Sequence, residues 1–497
     1  MDQHFQTDGV KKDLRGLSIR GGTSLAIAQI PTFILNIVSI VVLSRLLERE
    51  AFGLIAMVTA VTGLIAIFES MGLTTAVVQH EDMNHKQVSS LFWINLGFCF
   101  VLMIITAALA PLLAWFYGRQ ELFLITIAIA GTRLLGGLTN QHSGILQRQM
   151  RFTVLSVINV SSTAVGVLSA IISAIYGLGY WSLVILPAAS SLCRVIMLWI
   201  ITGWIPAMPE KGSGVRAPLK FGWRLTLSRL ITHLTEKADY ILVGWWCGAD
   251  ALGIYNRAYQ LLTLPQQQLK APISGVATSA LSRLTEDKER YSRYYLRVLR
   301  SLIWLTAPLT GVLAAVSTDL ILLALGSKWL DVALLFKIMA FAAFLRPIQA
   351  SVGWVLISYN LTDRLRNWVT AMCCVTVLSI VAGLPFGVIG VAISYTIGYL
   401  VLIMPWSFFY VFRDTPIRCG DVMKSTAPAV LVGLLIYGAG TLVVRIMPDY
   451  HTAIRLLLSL AACAVVLVLI AIVFKPLRQG VKEILELKSE VLKSREA

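Results

Sequence analysis

Charge is what this sequence has least of. Only 14% of its 497 residues are Asp, Glu, Lys or Arg, against about a quarter in soluble domains. Hydrophobic residues make up 57%, and the mean hydropathy is +0.76. No water-soluble core hides that much apolar side chain, so lipid must be the solvent for most of it. A soluble enzyme or binding module is excluded. Cysteine is scarce too. The seven (Cys99, Cys193, Cys247, Cys373, Cys374, Cys419 and Cys463) lie mostly in apolar runs, with no CxxC and no Cys/His spacing. That excludes a disulfide framework and a metal site. The six histidines are scattered, and no cofactor-binding or nucleophile–base motif occurs. No hydrophilic loop exceeds about 18 residues, which leaves no room for a soluble catalytic domain. The first twenty residues, MDQHFQTDGVKKDLRGLSIR, lack an apolar core with a cleavage site. The first hydrophobic segment is therefore expected to act as its own, uncleaved insertion signal.

What is present is a succession of apolar runs of roughly twenty residues or more, each long enough to cross a bilayer as a helix. Fourteen spans are expected, at 19–46, 51–79, 87–117, 121–147, 153–176, 180–205, 219–247, 251–279, 294–316, 330–357, 365–384, 388–411, 421–445 and 452–474. The fold class is an all-α polytopic membrane protein. Pro31, Pro265, Pro272, Pro308 and Pro347 are expected to bend or interrupt their spans. The tail, 475–497, places apolar residues near one helical face among basic ones; this suits a helix on the inner leaflet or a solvated tail.

Base exceeds acid, with 42 Lys and Arg against 26 Asp and Glu, a net charge of +16. With the N-terminus inside, 28 of the 42 basic residues fall on cytoplasmic segments and six on the other side. This satisfies the positive-inside rule, puts both termini in the cytoplasm and accounts for most of the basicity without nucleic acid. The other eight fall within spans: Arg133, Arg194, Arg229, Lys237, Arg257, Lys270, Lys337 and Arg346. Only Glu69, Glu236 and Asp239 stand out as anions at that depth. A Lys or Arg facing lipid at the bilayer centre costs about 2.5–3.5 kcal/mol, so eight would cost roughly 20–28 kcal/mol. Any one is readily explained as a structural ion pair or a snorkelling side chain. All eight together argue for a water-filled, net-positive cavity.

An internal repeat gives that cavity a location. Glu50-Ala51-Phe52-Gly53 aligns with Asp250-Ala251-Leu252-Gly253 at an offset of 200, and Gly22 with Gly222. YGLGYWSL (176–183) echoes FGVIGVAI (386–393). Spans 1–6 (a lobe over 19–205) and 7–12 (219–411) read as two parallel copies. They are joined by a linker at 206–218, preceded by a segment at 1–18 and followed by an extra pair at 421–474. Such copies enclose a midplane site in transporters that work by alternating access. The seventh span opens the second copy, and its ITHLTEKADYILVGWWC (231–247) holds His233, Glu236, Lys237 and Asp239 within seven residues. At 100° per residue Arg229, His233, Glu236 and Tyr240 share one face, flanked by Lys237 and Asp239. Arg133 shares a face with Asn140, Gly144 and Gln147 in the fourth span, and the eighth supplies Arg257 and Gln260. The candidate substrate-binding cations are Arg229, Lys237, Arg257, Arg133 and Arg346. Glu69, Glu236, Asp239 and His233 are the candidate orienting or ion-coupling groups, and Tyr240 a candidate sugar contact.

The chain resembles the Wzx-type oligosaccharide flippases, or polysaccharide transport proteins, of the multidrug/oligosaccharidyl-lipid/polysaccharide exporter superfamily. The motifs carrying the resemblance are ADYILVGWWCGADALGIYNRAYQLLTLP (238–265), SALSRLTEDKERYSRYYLRVLR (279–300), LGSKWLDVALLFKIMA (325–340), FESMGLTTAVVQ (68–79), GILQRQMRF (144–152) and YGLGYWSLV (176–184). They run in order over essentially the whole chain, closest to the colanic-acid-exporter-like branch. The resemblance implies a MATE-like arrangement of two six-helix lobes plus two C-terminal helices. It implies a bacterial inner-membrane protein that moves a polyprenyl-pyrophosphate-linked oligosaccharide to the periplasmic leaflet, where polymerase and export machinery take over. It also implies a groove for the prenyl tail at the last two spans. Two other readings stay open at this point: a drug or metabolite exporter of the same fold, and a membrane enzyme of polysaccharide synthesis, a polymerase or acyltransferase.

Overall fold

A computed structural model of the chain describes residues 14–69, 85–209, 216–413 and 415–473. Side chains are described throughout these ranges except at 14–23, 25–26, 216–236, 269–272, 275–276 and 471–473. The tail at 475–497 lies outside the described residues. All regular structure among the described residues is helical. The helices are α1 (Leu14–Leu46), α2 (Arg49–Ala66), α3 (His85–Ala108), α4 (Ala110–Tyr117), α5 (Glu121–Arg148), α6 (Phe152–Ile175), α7 (Trp181–Thr202), α8 (Arg216–Ser282), α9 (Lys288–Ala324), α10 (Leu330–Ser358), α11 (Thr362–Gly383), α12 (Gly387–Ile397), α13 (Met404–Phe412), α14 (Cys419–Ile446) and α15 (Thr452–Val473). The helices carry many large apolar side chains exposed to their surroundings, such as Ile27, Leu168, Ile200, Leu378 and Leu457. This is a multi-pass membrane protein.

Ten helical stretches among the described residues are long and apolar enough to cross a membrane. The expected fourteen are reached only if three further cases count as crossings: both legs of α8, all of α10, and each half of Thr362–Phe412. The long helices outside the ten, α8 and α10, are those that carry Arg229, Lys237, Arg257 and Arg346.

The prolines do not break the spans. The helices run on through Pro31, Pro308 and Pro347. In α8, which holds Pro265 and Pro272, the break is instead at Gly248, with φ 84° and ψ 179°. That is a region essentially closed to residues with a Cβ. It ends the seventh span and starts the eighth.

The repeat is written into the backbone of the turns. Met150 and Asn360 have φ of 56° and 54° and are the two non-glycine residues with positive φ among those described. They end α5 and α10, 210 residues apart. Their hydrogen bonds match one for one: Gln149 N to Ile145 O, Met150 N to Gln147 O and Arg151 N to Leu146 O in one turn, Tyr359 N to Val355 O, Asn360 N to Ile357 O and Leu361 N to Leu356 O in the other. Gly177 and Gly387, again 210 residues apart, both have positive φ, and their N–H groups donate to the corresponding carbonyls of Ala174 and Leu384. Identical bonding at a fixed offset, with unlike side chains, is duplication of a structural unit.

Two compact units divide after Gly253. In the first, α1 packs along α6, α3 along α5, and α7 against both α5 and α6. The first leg of α8 belongs here because its end meets the α1–α2 turn through glycines. A Cβ on Gly53 would overlap the Ala249 carbonyl oxygen, and one on Gly253 the Arg49 carbonyl oxygen. Under the offset of 200, residue 53 maps to 253 and 49 to 249. The two contacts are therefore one contact made twice, by the turns that open the two copies. Arg49 Nε closes this clasp on Asp250 Oδ1 at 3.0 Å, and Arg119 pairs with Glu50.

In the second unit α9 is the hub, with α10, α14 and α15 packed against it. Ala307, Gly311 and Ala315 form a small-residue stripe on α9 facing Gly433 and Gly440 of α14, the arrangement that lets membrane helices approach closely. Aromatic side chains fill the rest of this core, among them Tyr291, Tyr295, Trp304, Trp354, Trp368, Tyr399 and Phe412.

Candidate functional site

The end of α2 leads to Glu69, and the middle of α5 presents Arg133. Their side chains form an ion pair, Nη1 to Oε2 at 3.3 Å. The same guanidinium donates to the Thr62 carbonyl oxygen at 3.1 Å, and Asn140 donates to the Glu69 carbonyl oxygen at 3.2 Å. Gly136, one turn along α5, leaves the space the carboxylate fills: a Cβ there would lie 2.7 Å from the Glu69 carboxyl carbon. Glu69 has no charged neighbour in its own segment and finds one on another helix. Arg133 is a neutralised cation, 11% exposed in its side chain. An incoming anion would have to displace Glu69 to bind it bidentately.

On the first leg of α8, Lys237 is half-buried, its Nζ 4.4 Å from the centre of the Tyr240 ring. Tyr240 is buried beneath that ammonium, so its ring face is occupied by a cation, not open to a sugar. Asp239 is buried and accepts from the Tyr240 backbone N–H at 2.8 Å. Arg229, His233 and Glu236 lie on the same helix, with side chains outside the described ones.

In the second unit, the second leg of α8 carries Arg257, buried, with Nη1 donating to Gln260 Oε1 at 2.6 Å. The spacing of three puts both on one helical face. Arg346 of α10 is held differently. Its guanidinium carbon lies 4.9 Å from the centre of the Tyr259 ring, and Nη2 donates to the Tyr395 hydroxyl at 3.2 Å. Stacking on a ring and bonding a hydroxyl keep a guanidinium charged at depth without neutralising it. Gln266 bonds Thr310 Oγ1 at 3.1 Å and the Ala343 carbonyl oxygen at 3.3 Å, tying α8 to α9 and α10 beside this cation.

Sequence reasoning missed one buried anion. Asp319 is fully buried near the end of α9 and takes a forked bond from Arg455 of α15, with Nε 2.9 Å and 3.0 Å from its two oxygens. The ninth span was expected to stop at residue 316, which left Asp319 in a loop; the helix runs to Ala324. Lys337, one of the eight in-span cations, donates to Thr318 Oγ1 at 2.8 Å beside it. Arg194, another, bonds Ser143 Oγ at 3.4 Å. These contacts are structural. No group of three His, Cys, Asp or Glu able to hold a metal occurs among the described residues.

Comparison with known proteins fixes the family. Residues 42–334 match the family model described as polysaccharide biosynthesis protein. The chain belongs to this family. It is similar to the teichuronic acid biosynthesis protein TuaB of Bacillus subtilis, 27% identical over 79% of this chain and 82% of that one. It is 28% identical to the succinoglycan biosynthesis transport protein ExoT of Rhizobium meliloti, over 60% of each chain. Among solved structures, the inward closed conformation of the lipid II flippase MurJ superposes with a TM-score of 0.68 at 14% identity, covering 90% of this chain and 98% of MurJ. The resemblance read from the motifs and the all-α fold of a polytopic membrane protein both hold.

Proposed function

We propose that the protein translocates a polyprenyl-pyrophosphate-linked oligosaccharide from the cytoplasmic to the periplasmic leaflet of a bacterial inner membrane, for assembly of a surface polysaccharide. The observation that carries this reading is the state of the buried cations. Arg346 is held by the Tyr259 ring and the Tyr395 hydroxyl, Lys237 lies over the Tyr240 ring, and Arg133 is paired with Glu69, which an incoming anion can displace. Membership of the polysaccharide biosynthesis family and the likeness to a flippase fold support the same substrate class. An exporter of cationic drugs would have the opposite charge preference.

In this reading a pyrophosphate sheds part of its water onto guanidinium donors, whose planar forks match phosphate oxygens. Arg346 and Arg257 are the proposed donors of the second unit, and in the first unit Arg133 would exchange Glu69 for an anionic group. Arg229, Glu236, His233 and Asp239 are the groups proposed to act from the first leg of α8. Glu69 is thereby the candidate coupling group: released from Arg133, it becomes free to take up a proton. The clasp between Gly53 and Gly253 is the contact that opens when the cations turn to the periplasm. The test is R346Q and R257Q, each inserted at wild-type levels. Lipid-linked oligosaccharide should build up on the cytoplasmic leaflet while surface polysaccharide falls. Wild-type transport by both variants would remove the cationic-site mechanism.

A further inference from the structure

We infer that the junction of α8 and α9 is a second, superficial anion site that captures the diphosphate head of a membrane-embedded isoprenoid lipid before translocation. The inference rests on the reading of the substrate given above. A cavity of about 630 Å³ opens between the last turn of α8 and the first turns of α9, lined by Ala280, Arg283, Leu284, Arg290, Arg293, Tyr294 and Arg297. Four of its seven lining residues are arginines, all exposed. None of the four side chains has an ion-pair or hydrogen-bond partner among the described residues. Unpaired guanidiniums repel one another, so gathering four around one concavity is unfavourable unless an anion is to be held there.

Local structure makes the gathering deliberate. The expected ninth span began at residue 294, but α9 starts at Lys288, where Asp287 caps it by accepting from the Arg290 backbone N–H at 3.0 Å. The early start converts a loop into helix and lines up Arg290, Arg293 and Arg297 at spacings of three and four on one face. The cap turns Asp287 Oδ1 toward the backbone N–H of Arg290. Tyr291 and Tyr295, on the other side of the same turns, are buried and bond Ser358 and Ser351 of α10 at 2.6 Å and 2.7 Å, so the arginine face is fixed in orientation.

Depth and charge then select the ligand. The 37 residues of α9 make a helix of about 55 Å, well beyond the roughly 30 Å hydrocarbon thickness. Its charged first three turns therefore stand in the head-group zone, on the side that the basic-residue count assigns to the cytoplasm. Ala280, Leu284 and the Tyr294 ring supply an apolar wall beneath the charges. A ligand with phosphate at that level and hydrocarbon below it fits both parts. Four guanidiniums suit the two or more negative charges of a diphosphate ester better than the single charge of a phosphodiester lipid.

The experiment uses full-length protein in phosphatidylcholine nanodiscs with a photoreactive farnesyl diphosphate. Adducts are expected on peptides spanning 280–297. R290Q/R293Q/R297Q should lose that adduct and raise the half-saturating substrate concentration for translocation about tenfold or more, with the maximal rate kept. Inorganic pyrophosphate should compete, and phosphatidylglycerol at equal charge should not. Unchanged labelling in a triple variant of wild-type melting temperature overturns the site, as do adducts confined to other segments. Competition by phosphatidylglycerol as strong as by farnesyl diphosphate means an ordinary lipid contact and overturns it too. R283Q, in the turn after α8, gives a second variant should the triple one be unstable. If wild-type protein labels at 280–297 yet translocates no lipid-linked saccharide, the proposed function fails and this site stands.

Discussion

Adding one carbon at the glycine clasp should open the protein. In Gly53→Ala the new methyl would lie 2.9 Å from the Ala249 Cα, besides overlapping that residue's carbonyl. In Gly253→Ala it would lie 3.0 Å from the Arg49 carbonyl carbon. Ordinary carbon–carbon contact needs about 3.5–4.0 Å, and a Cβ on Gly53 would lie 2.5 Å from the Ala249 carbonyl carbon, so the turns must part by about 1 Å or more. The atoms met are backbone, which cannot rotate away. Overpacking of this kind costs about 1–3 kcal/mol, and a state in which the turns are already apart bears none of that cost. The equilibrium between clasped and open states should therefore move about 5- to 150-fold, at tenfold per 1.4 kcal/mol. The assay is labelling of Ala51→Cys, a buried position inside the clasp, by a membrane-impermeant maleimide with the seven native cysteines replaced. The labelling rate should rise about tenfold or more in either alanine variant and further in the double variant. Unchanged labelling, in variants that insert and melt like the parent, would refute the idea that this contact opens.

Further outcomes follow from the buried charges and the close helix crossing. Glu69→Gln leaves Arg133 without its carboxylate and should destabilise the protein by up to about 3–5 kcal/mol; E69Q/R133Q should regain at least half of the lost melting temperature, and a neutral E69Q would show the pair to be idle. Asp319→Asn should cost as much, since Asp319 is fully buried against Arg455, and Arg455→Lys should rescue little because a point charge cannot reproduce the fork. Gly311→Leu drives a side chain into the Gly433 backbone and should loosen α14 from α9, read as protease cleavage near residues 414–418 that wild-type protein resists.

Hydropathy made the spans legible, because a twenty-residue apolar run has few other uses. The repeat was legible at two motifs, Glu50–Gly53 against Asp250–Gly253 and YGLGYWSL against FGVIGVAI. Its strongest mark, the matched bonding around Met150 and Asn360, was not, since backbone geometry was kept there while side chains diverged. The prolines do not interrupt their helices, since a missing N–H is tolerated where neighbours satisfy the freed carbonyl; Gly248 carried the break instead. Asp319 was hidden by a boundary set eight residues short of Ala324. Which cations are neutralised depends on residues far apart in sequence, Glu69 with Arg133 and Asp319 with Arg455, and no helical periodicity reports that. For Lys237 and Arg257 the contacts with Tyr240 and Gln260 lie three residues on, within one helix.

The most direct measurement is translocation itself. Purified protein is reconstituted into vesicles with a fluorescent polyprenyl-pyrophosphate oligosaccharide in one leaflet, and its arrival in the other is followed by quenching from outside. Wild-type protein should equilibrate the lipid at a rate proportional to protein per vesicle, R346Q should slow it at least tenfold, and the matching polyprenyl monophosphate should move poorly. Equal, protein-independent movement in empty vesicles, or a wild-type rate in R346Q, would contradict a flippase that works through its buried cations.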